Sequence, residues 1–143
     1  MSLIKKVMIN EKVAEVPFPD VDDFIVSICY ISREKMLKLR QQSLEAKFNR
    51  HTRQREEEVN SEKFNELYVD AVVKGWKGLT YKVLAILLPI EYDEADADKE
   101  IPYSKEDAVD LLKNSTIFDQ FIADAVNNFE NFETDKKNEE IKN

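Results

Sequence analysis

The densest apolar patterning in this chain lies in residues 67–90, LYVDAVVKGWKGLTYKVLAILLPI. An apolar stripe enters, a Gly-Trp-Lys-Gly break interrupts it, and a second apolar run leaves and stops at Pro89. Phe64, Leu67, Tyr68, Ala71 and Val72 follow the i, i+3, i+4, i+7, i+8 spacing of a helix face turned towards a core. Asn60 is placed to cap that helix, with Val59 and Phe64 as a hydrophobic staple around it. Gly75 is expected to end it in a left-handed conformation, and Trp76 to fold back into the core. Thr80 then caps a short helix, Leu79 and Leu84 form a second staple, and Pro89 closes the run.

Upstream, VAEVPFPD followed by DFIVSICYI is rich in β-branched and aromatic residues and punctuated by Pro17 and Pro19. This predicts a short strand or hairpin over about residues 10–31, its second arm running from Asp23 to Ile31. Ser32 caps a predicted helix through REKMLKLRQQSLEAKFNR, residues 33–50, with a thin stripe of Met36, Leu37, Leu39, Leu44 and Phe48. Downstream, EYDEADADKE reads as an acidic loop, and Ser104 with Asp107 opens a helix through Leu112. Asn114 and Ser115 break that helix. A last one runs from about Thr116 to Asn131, its face of Ile117, Phe118, Phe121, Ile122, Ala125, Val126 and Phe129 expected to pack against the Phe64 helix. Residues 133–143 read as a disordered polar tail. The predicted class is α+β but predominantly α-helical: a single domain over 1–132 in which a short N-terminal strand or hairpin precedes an all-α part of about five helices in a small orthogonal bundle.

Composition narrows the function. Of 143 residues, 43% are hydrophobic and 35% charged, which suits a globular chain with a heavily solvated surface. Two glycines are too few for a sandwich or barrel built on many tight turns. The net charge of −8 and the pI near 4.8 disfavour nonspecific binding to nucleic acid or anionic membranes. Against that field, residues 33–55 hold eight Lys or Arg and only Glu34 and Glu45, before Glu56, Glu57 and Glu58 reverse the sign. That basic segment reads as a solvated face complementing the acidic half, as a docking surface for an acidic partner, or, third, as a nucleic-acid contact. The lone Cys29 sits in an apolar run and reads as a small buried hydrophobe. The N-terminal residues lack a signal-peptide core, and no stretch reaches the roughly 18 apolar residues of a membrane span, so a cytoplasmic location is expected.

Catalytic and metal chemistry find no purchase. An EF-hand frame begun at Glu94 collects Glu94, Asp96 and Asp98 but meets Lys99 where glycine is needed and Lys105 where the bidentate Glu belongs. A frame begun at Asp96 meets Ile101 and Asp107 at those places. His51 is the sole histidine and Cys29 the sole thiol, so no zinc set forms. The phosphate-binding glycine motifs and the GxSxG elbow are missing. The expectation is a protein that is not an enzyme and needs no cofactor or metal.

The order of elements carries a resemblance. DFIVSICYISREKMLKL, FNELYVDAVVKGWKGLT, VLAILLPI, IPYSKEDAVDLLKNS and FDQFIADAVNNFENF together resemble the tail assembly chaperones of long-tailed bacteriophages, over roughly residues 23–132. The shared pattern is a W-x-G break after a helix, a PYS entry into a helix carrying LL, and a last helix ending in phenylalanine; here Trp76, Gly78, Tyr103, Ser104 and Phe129 carry it. The resemblance implies a non-enzymatic chaperone made in the host cell cytoplasm that binds the helical tape-measure protein and keeps it soluble while tail-tube subunits polymerise. It also implies, as possible partners, a longer form of the same chain made by translational frameshifting, the tail-tube protein and further copies of itself. Lys136-Lys137 marks where A-rich codons would allow such slippage. On this reading the client-facing residues are Leu79, Val83, Ile86 and Leu87 of the apolar run and Lys38, Arg50 and Arg53 of the basic segment. The rival is a virion structural component, a head–tail connector or minor tail protein.

Overall fold

The computed structural model describes residues 2–133. The tail expected over 133–143 and the Lys136-Lys137 pair lie, apart from Glu133, outside those residues. Five strands and six α-helices are interspersed along the described residues. A five-residue helix α1 (Leu3–Val7), capped by Ser2 and wholly exposed, leads into β1 (Glu11–Pro17) and β2 (Ile25–Ile31). These two strands form an antiparallel hairpin in which Val16 faces Val26 and Ala14 faces Ile28. Its loop is held by the Phe18 N–H donating to the Phe24 carbonyl at 2.9 Å and by the stacked rings of Phe18 and Phe24.

The predominantly α-helical, all-α reading of everything beyond residue 31 is overturned. Helix α2 (Arg33–Gln42), capped by Ser32, stops eight residues short of Arg50. Ser43 is fully buried there and its hydroxyl donates to the Leu39 carbonyl at 2.8 Å, a local bond that competes with helix continuation. The chain then forms a second antiparallel hairpin, β3 (Leu44–Asn49) and β4 (Gln54–Val59), where a helix was expected. LEAKFN alternates apolar and polar residues without a break, which is the strand period.

Helix α3 (Ser61–Val72) has its Asn60 cap, with the Lys63 N–H bonded to Asn60 Oδ1 at 3.1 Å. It does not end at Gly75. It passes at Val73 straight into β5 (Val73–Lys77), so the Gly-Trp-Lys-Gly segment is a strand that pairs antiparallel with β2. The larger sheet therefore has the order β1-β2-β5. Helix α4 (Tyr81–Leu87) is capped by Thr80, α5 (Lys105–Asn114) by Ser104, and α6 (Thr116–Asn127) by Ser115. Helix α6 packs on β2 and α5, not chiefly on α3 as expected, and buries Phe118, Phe121, Ile122, Ala125 and Val126. Ile117 and Phe129, expected on the same buried face, are exposed, and Phe132 takes the core position beyond the helix. With three antiparallel strands at its centre, this core is mixed α and β and not an orthogonal helical bundle.

Two contacts fix how the layers meet. Gly78 has φ +79°, and a Cβ there would lie 1.8 Å from the Asp23 carbonyl oxygen in the β1–β2 loop. The left-handed residue is thus Gly78, and the glycine is needed twice, for its torsion and for the close approach of two backbones. Gly78→Ala is expected to cost about 3 kcal/mol or more in a denaturant titration. Gly75→Ala, whose Cβ would make only ordinary contact with Ser27, should change stability by less than about 1 kcal/mol. The second contact is Ser115, 2% exposed, whose hydroxyl donates to the Leu87 carbonyl at 2.7 Å and accepts from the Phe118 N–H at 3.0 Å. It caps α6 and ties α6 to the end of α4. Ser115→Ala removes both bonds and leaves a buried carbonyl unpaired, an expected loss of about 1–3 kcal/mol by the same titration.

Candidate interaction surfaces

The segment from Leu79 to Leu88 was expected to face a partner; most of it faces inward. Val83 and Leu87, four apart on α4, share one side of that helix, Leu79 precedes its Thr80 cap, and all three are core residues. Ile86, on the other side, is 52% exposed. Lys38 lies on α2, while Arg50 and Arg53 lie in the loop at the tip of the β3–β4 hairpin. The seven residues do not converge on one surface.

What the segment does build is one wall of a groove. Leu79 forms its floor, Leu84, Leu88 and Ile101 its apolar sides, and Asp107 and Asp110 of α5 its polar edge, around a volume of about 360 Å³. Trp76 also lines it. Its indole N–H donates to the Ile101 carbonyl at 2.9 Å, and its ring meets Tyr103 edge-on at 4.9 Å and Phe118 at 6.4 Å. The Tyr103 hydroxyl in turn donates to the Val73 carbonyl at 2.8 Å. The acidic loop runs alongside, bonded to this segment through its backbone: Ile101 N–H to Leu79 O, Tyr81 N–H to Lys99 O and Lys82 N–H to Ala97 O. Its carboxylates are therefore placed by backbone pairing, and Asp96 is engaged by Lys99 at 2.6 Å. A second, wider recess of about 640 Å³ lies between β1 and α6, with Phe18, Phe121 and Ala125 inside and Asp20 and Asp124 lining it. Both hollows present apolar surface with carboxylates beside it, an arrangement suited to an amphipathic segment that carries Lys or Arg next to its apolar face.

The third surface is the β3–β4 hairpin, which stands where a helix was expected. His51 sits at its tip, with its backbone N–H bonded to Asn49 Oδ1, far along the chain from the buried Cys29 in β2. Among the described residues, no group of three or more His, Cys, Asp or Glu is arranged to hold a metal ion. No helix among them is long and apolar enough to cross a membrane.

Two tyrosines in the core layers have shifted ionisation. Burial first, and the charge of Asp119 second, push the Tyr68 phenol up to about 12. Tyr103 is raised too, by burial and then by Asp70. An unfolded tyrosine ionises near pH 10. The folded chain holds its Tyr68 proton about two units longer, so stability is intact below pH 10 and falls as the pH rises from 10 to 12. The loss attributable to Tyr68 is on the order of 2 kcal/mol. Urea titrations across that range should show it, and Tyr68→Phe should flatten much of the decline. A native phenolate signal for Tyr68 already complete at pH 10 would contradict the assignment.

The fold is that of a small mixed α and β protein with two apolar hollows on its surface. A family model of YdaY prophage proteins matches residues 31–143, from the end of β2 onward, and the chain belongs to that family. This ties it to phage in general. Comparison with curated proteins and with solved structures gave no match.

Proposed function

We propose that this chain is a phage tail assembly chaperone, acting in the host cytoplasm to keep the tape-measure protein soluble during tail assembly. The observation that carries the reading is the groove between α4 and α5, an apolar trough with Leu79 at its floor and Asp107 and Asp110 at its edge. A long helical client exposes apolar stripes that aggregate unless covered, and a groove of this kind covers one turn or two of such a stripe. The carboxylates at the edge would meet the client's basic residues, and the chain's net charge of −8 would keep the complex in solution. The tip arginines Arg50 and Arg53 would meet acidic stretches of the client. The family's association with prophages supports a phage role, and the resemblance in element order supports this particular one.

A second reading, a structural component that stays in the particle, is favoured by the β3–β4 hairpin, since a projecting arm with an uncovered face is suited to permanent assembly. Co-expression with the large helix-predicted protein encoded beside it, followed by pull-down, separates the two. The chaperone reading expects the long protein to become soluble and co-purify. Leu84→Glu and Leu88→Glu, at half-buried groove positions, should weaken that capture roughly tenfold, about 1.4 kcal/mol, while far-UV circular dichroism stays native. A client that stays insoluble and unbound, with this chain present in stoichiometric amount in purified particles, would favour the structural component instead.

A further inference from the structure

Opposed residues in an antiparallel pair point to the same side, so the register of β3 with β4 assigns the two faces of the second hairpin. One face carries Glu45, Lys47 and Asn49 opposite Glu58, Glu56 and Gln54. It is polar and internally satisfied: Lys47 pairs with Glu58 at 3.2 Å, the Asn49 amide donates to Glu56 at 3.1 Å, and the Asn60 amide to Glu45 at 2.9 Å. The other face carries Leu44, Ala46 and Phe48 opposite Val59, Glu57 and Arg55. Among the described residues it is left largely open, with Leu44 half-buried at its base. Phe48 is 63% exposed and Val59 42%, and the hairpin's main contacts are between its own strands. Among the described residues, neither Arg55 nor Glu57 has an ion pair or a side-chain hydrogen bond. A two-stranded hairpin standing alone in water is only marginally stable, and one with an apolar face in solvent is less so.

We propose that the two outer rows of this face are covered by the same rows of a second copy, the two hairpins stacking antiparallel about a twofold axis that crosses the strands between the Ala46/Glu57 row and the Phe48/Arg55 row, with the Leu44/Val59 row beneath the other copy's tip. That axis brings Phe48 of each copy over Ala46 of the other, a large side chain over a small one. It brings Arg55 of each copy over Glu57 of the other, so one contact of opposite charge is made twice, as an isologous interface requires. The basic tips, with Arg50 and Arg53, lie at opposite ends of the stack and do not oppose each other. A single hairpin face is well below the roughly 800 Å² per partner of a stable complex, so the dimer is weak and forms with rising concentration. Its existence does not depend on what client the chain binds.

Sedimentation velocity over a concentration series tests this on the full chain. The wild type should pass from monomer to dimer. Phe48→Asp, Arg55→Glu and Glu57→Arg should each weaken dimerisation roughly tenfold or more. The double reversal Arg55→Glu with Glu57→Arg should restore it to near the wild-type value, because the contact re-forms with its signs exchanged. All positions are exposed, so circular dichroism should stay native; should Phe48→Asp unravel the hairpin, the charge reversals leave the apolar residues in place and carry the test. A wild type that stays monomeric to the limit of its solubility overturns the proposal. So does a dimer indifferent to the single reversals, or one that the double reversal fails to restore.

Discussion

The pairing of β5 with β2 is the contact on which the rest of the structure depends. β2 becomes a central strand only because residues 73–77 close its second edge, and its Val26, Ile28, Cys29 and Ile31 become core residues with it. The pairing positions Trp76 opposite Val26, and from there the indole reaches the Ile101 carbonyl and the rings of Tyr103 and Phe118. It delivers Gly78 against the backbone of Asp23, so the loop of the first hairpin and the exit of β5 meet without side chains between them. Helices α3 and α6 then pack against β2, and α5 bridges them. The groove on the outside of this arrangement exists because Trp76, Leu79 and Ile101 are fixed by the same strand and the backbone bonds that follow it.

Much of the local structure is legible in the chain. Ser32, Asn60, Thr80 and Ser104 each precede their helices as side-chain caps, and each accepts the expected backbone N–H. The first hairpin follows from β-branched residues between prolines. Both missed sheet features have physical causes. The segment LEAKFN alternates with period two, but only for six residues, and its Leu, Glu, Ala and Lys are strong helix formers, so a helix continuing from α2 competed well on propensity. β5 was hidden because its partner is some 45 residues away in sequence, and a strand that owes its existence to a distant edge leaves little local trace. The burial of much of the 79–88 segment has a simpler reason. An apolar run rich enough to suggest a binding face is equally rich enough to fill a core, and here Leu79 before the helix and Val83 and Leu87 on one side of it are all buried.

Charge and apolar surface are distributed with some economy. The acidic excess is spread over α3, α5 and the loop before Ile101, while the cations gather on α2 and at the tip of the second hairpin. The exposed features are two hollows with carboxylates beside apolar side chains, and an arm with one satisfied and one unsatisfied face. The hollows belong to the main core and the arm stands away from it, so substitutions in one leave the packing of the other undisturbed.

The direct passage from α3 into β5 has a consequence for how this chain can change over time. A helix turns 100° per residue and a strand 180°, and at Val72–Val73 the two periods abut without a loop to absorb a mismatch. One residue inserted there would swing the face of α3 a quarter turn from the sheet or exchange the two sides of β5, carrying Trp76 out of the core. Length variation is therefore forbidden at this junction and tolerated at the tip of the second hairpin, where residues 50–53 are exposed and the hydrogen bonds of His51 and Thr52 reach no further than Asn49. Among relatives of this protein, insertions and deletions should gather at that tip, while the distance from the Asn60 cap to Gly78 stays constant.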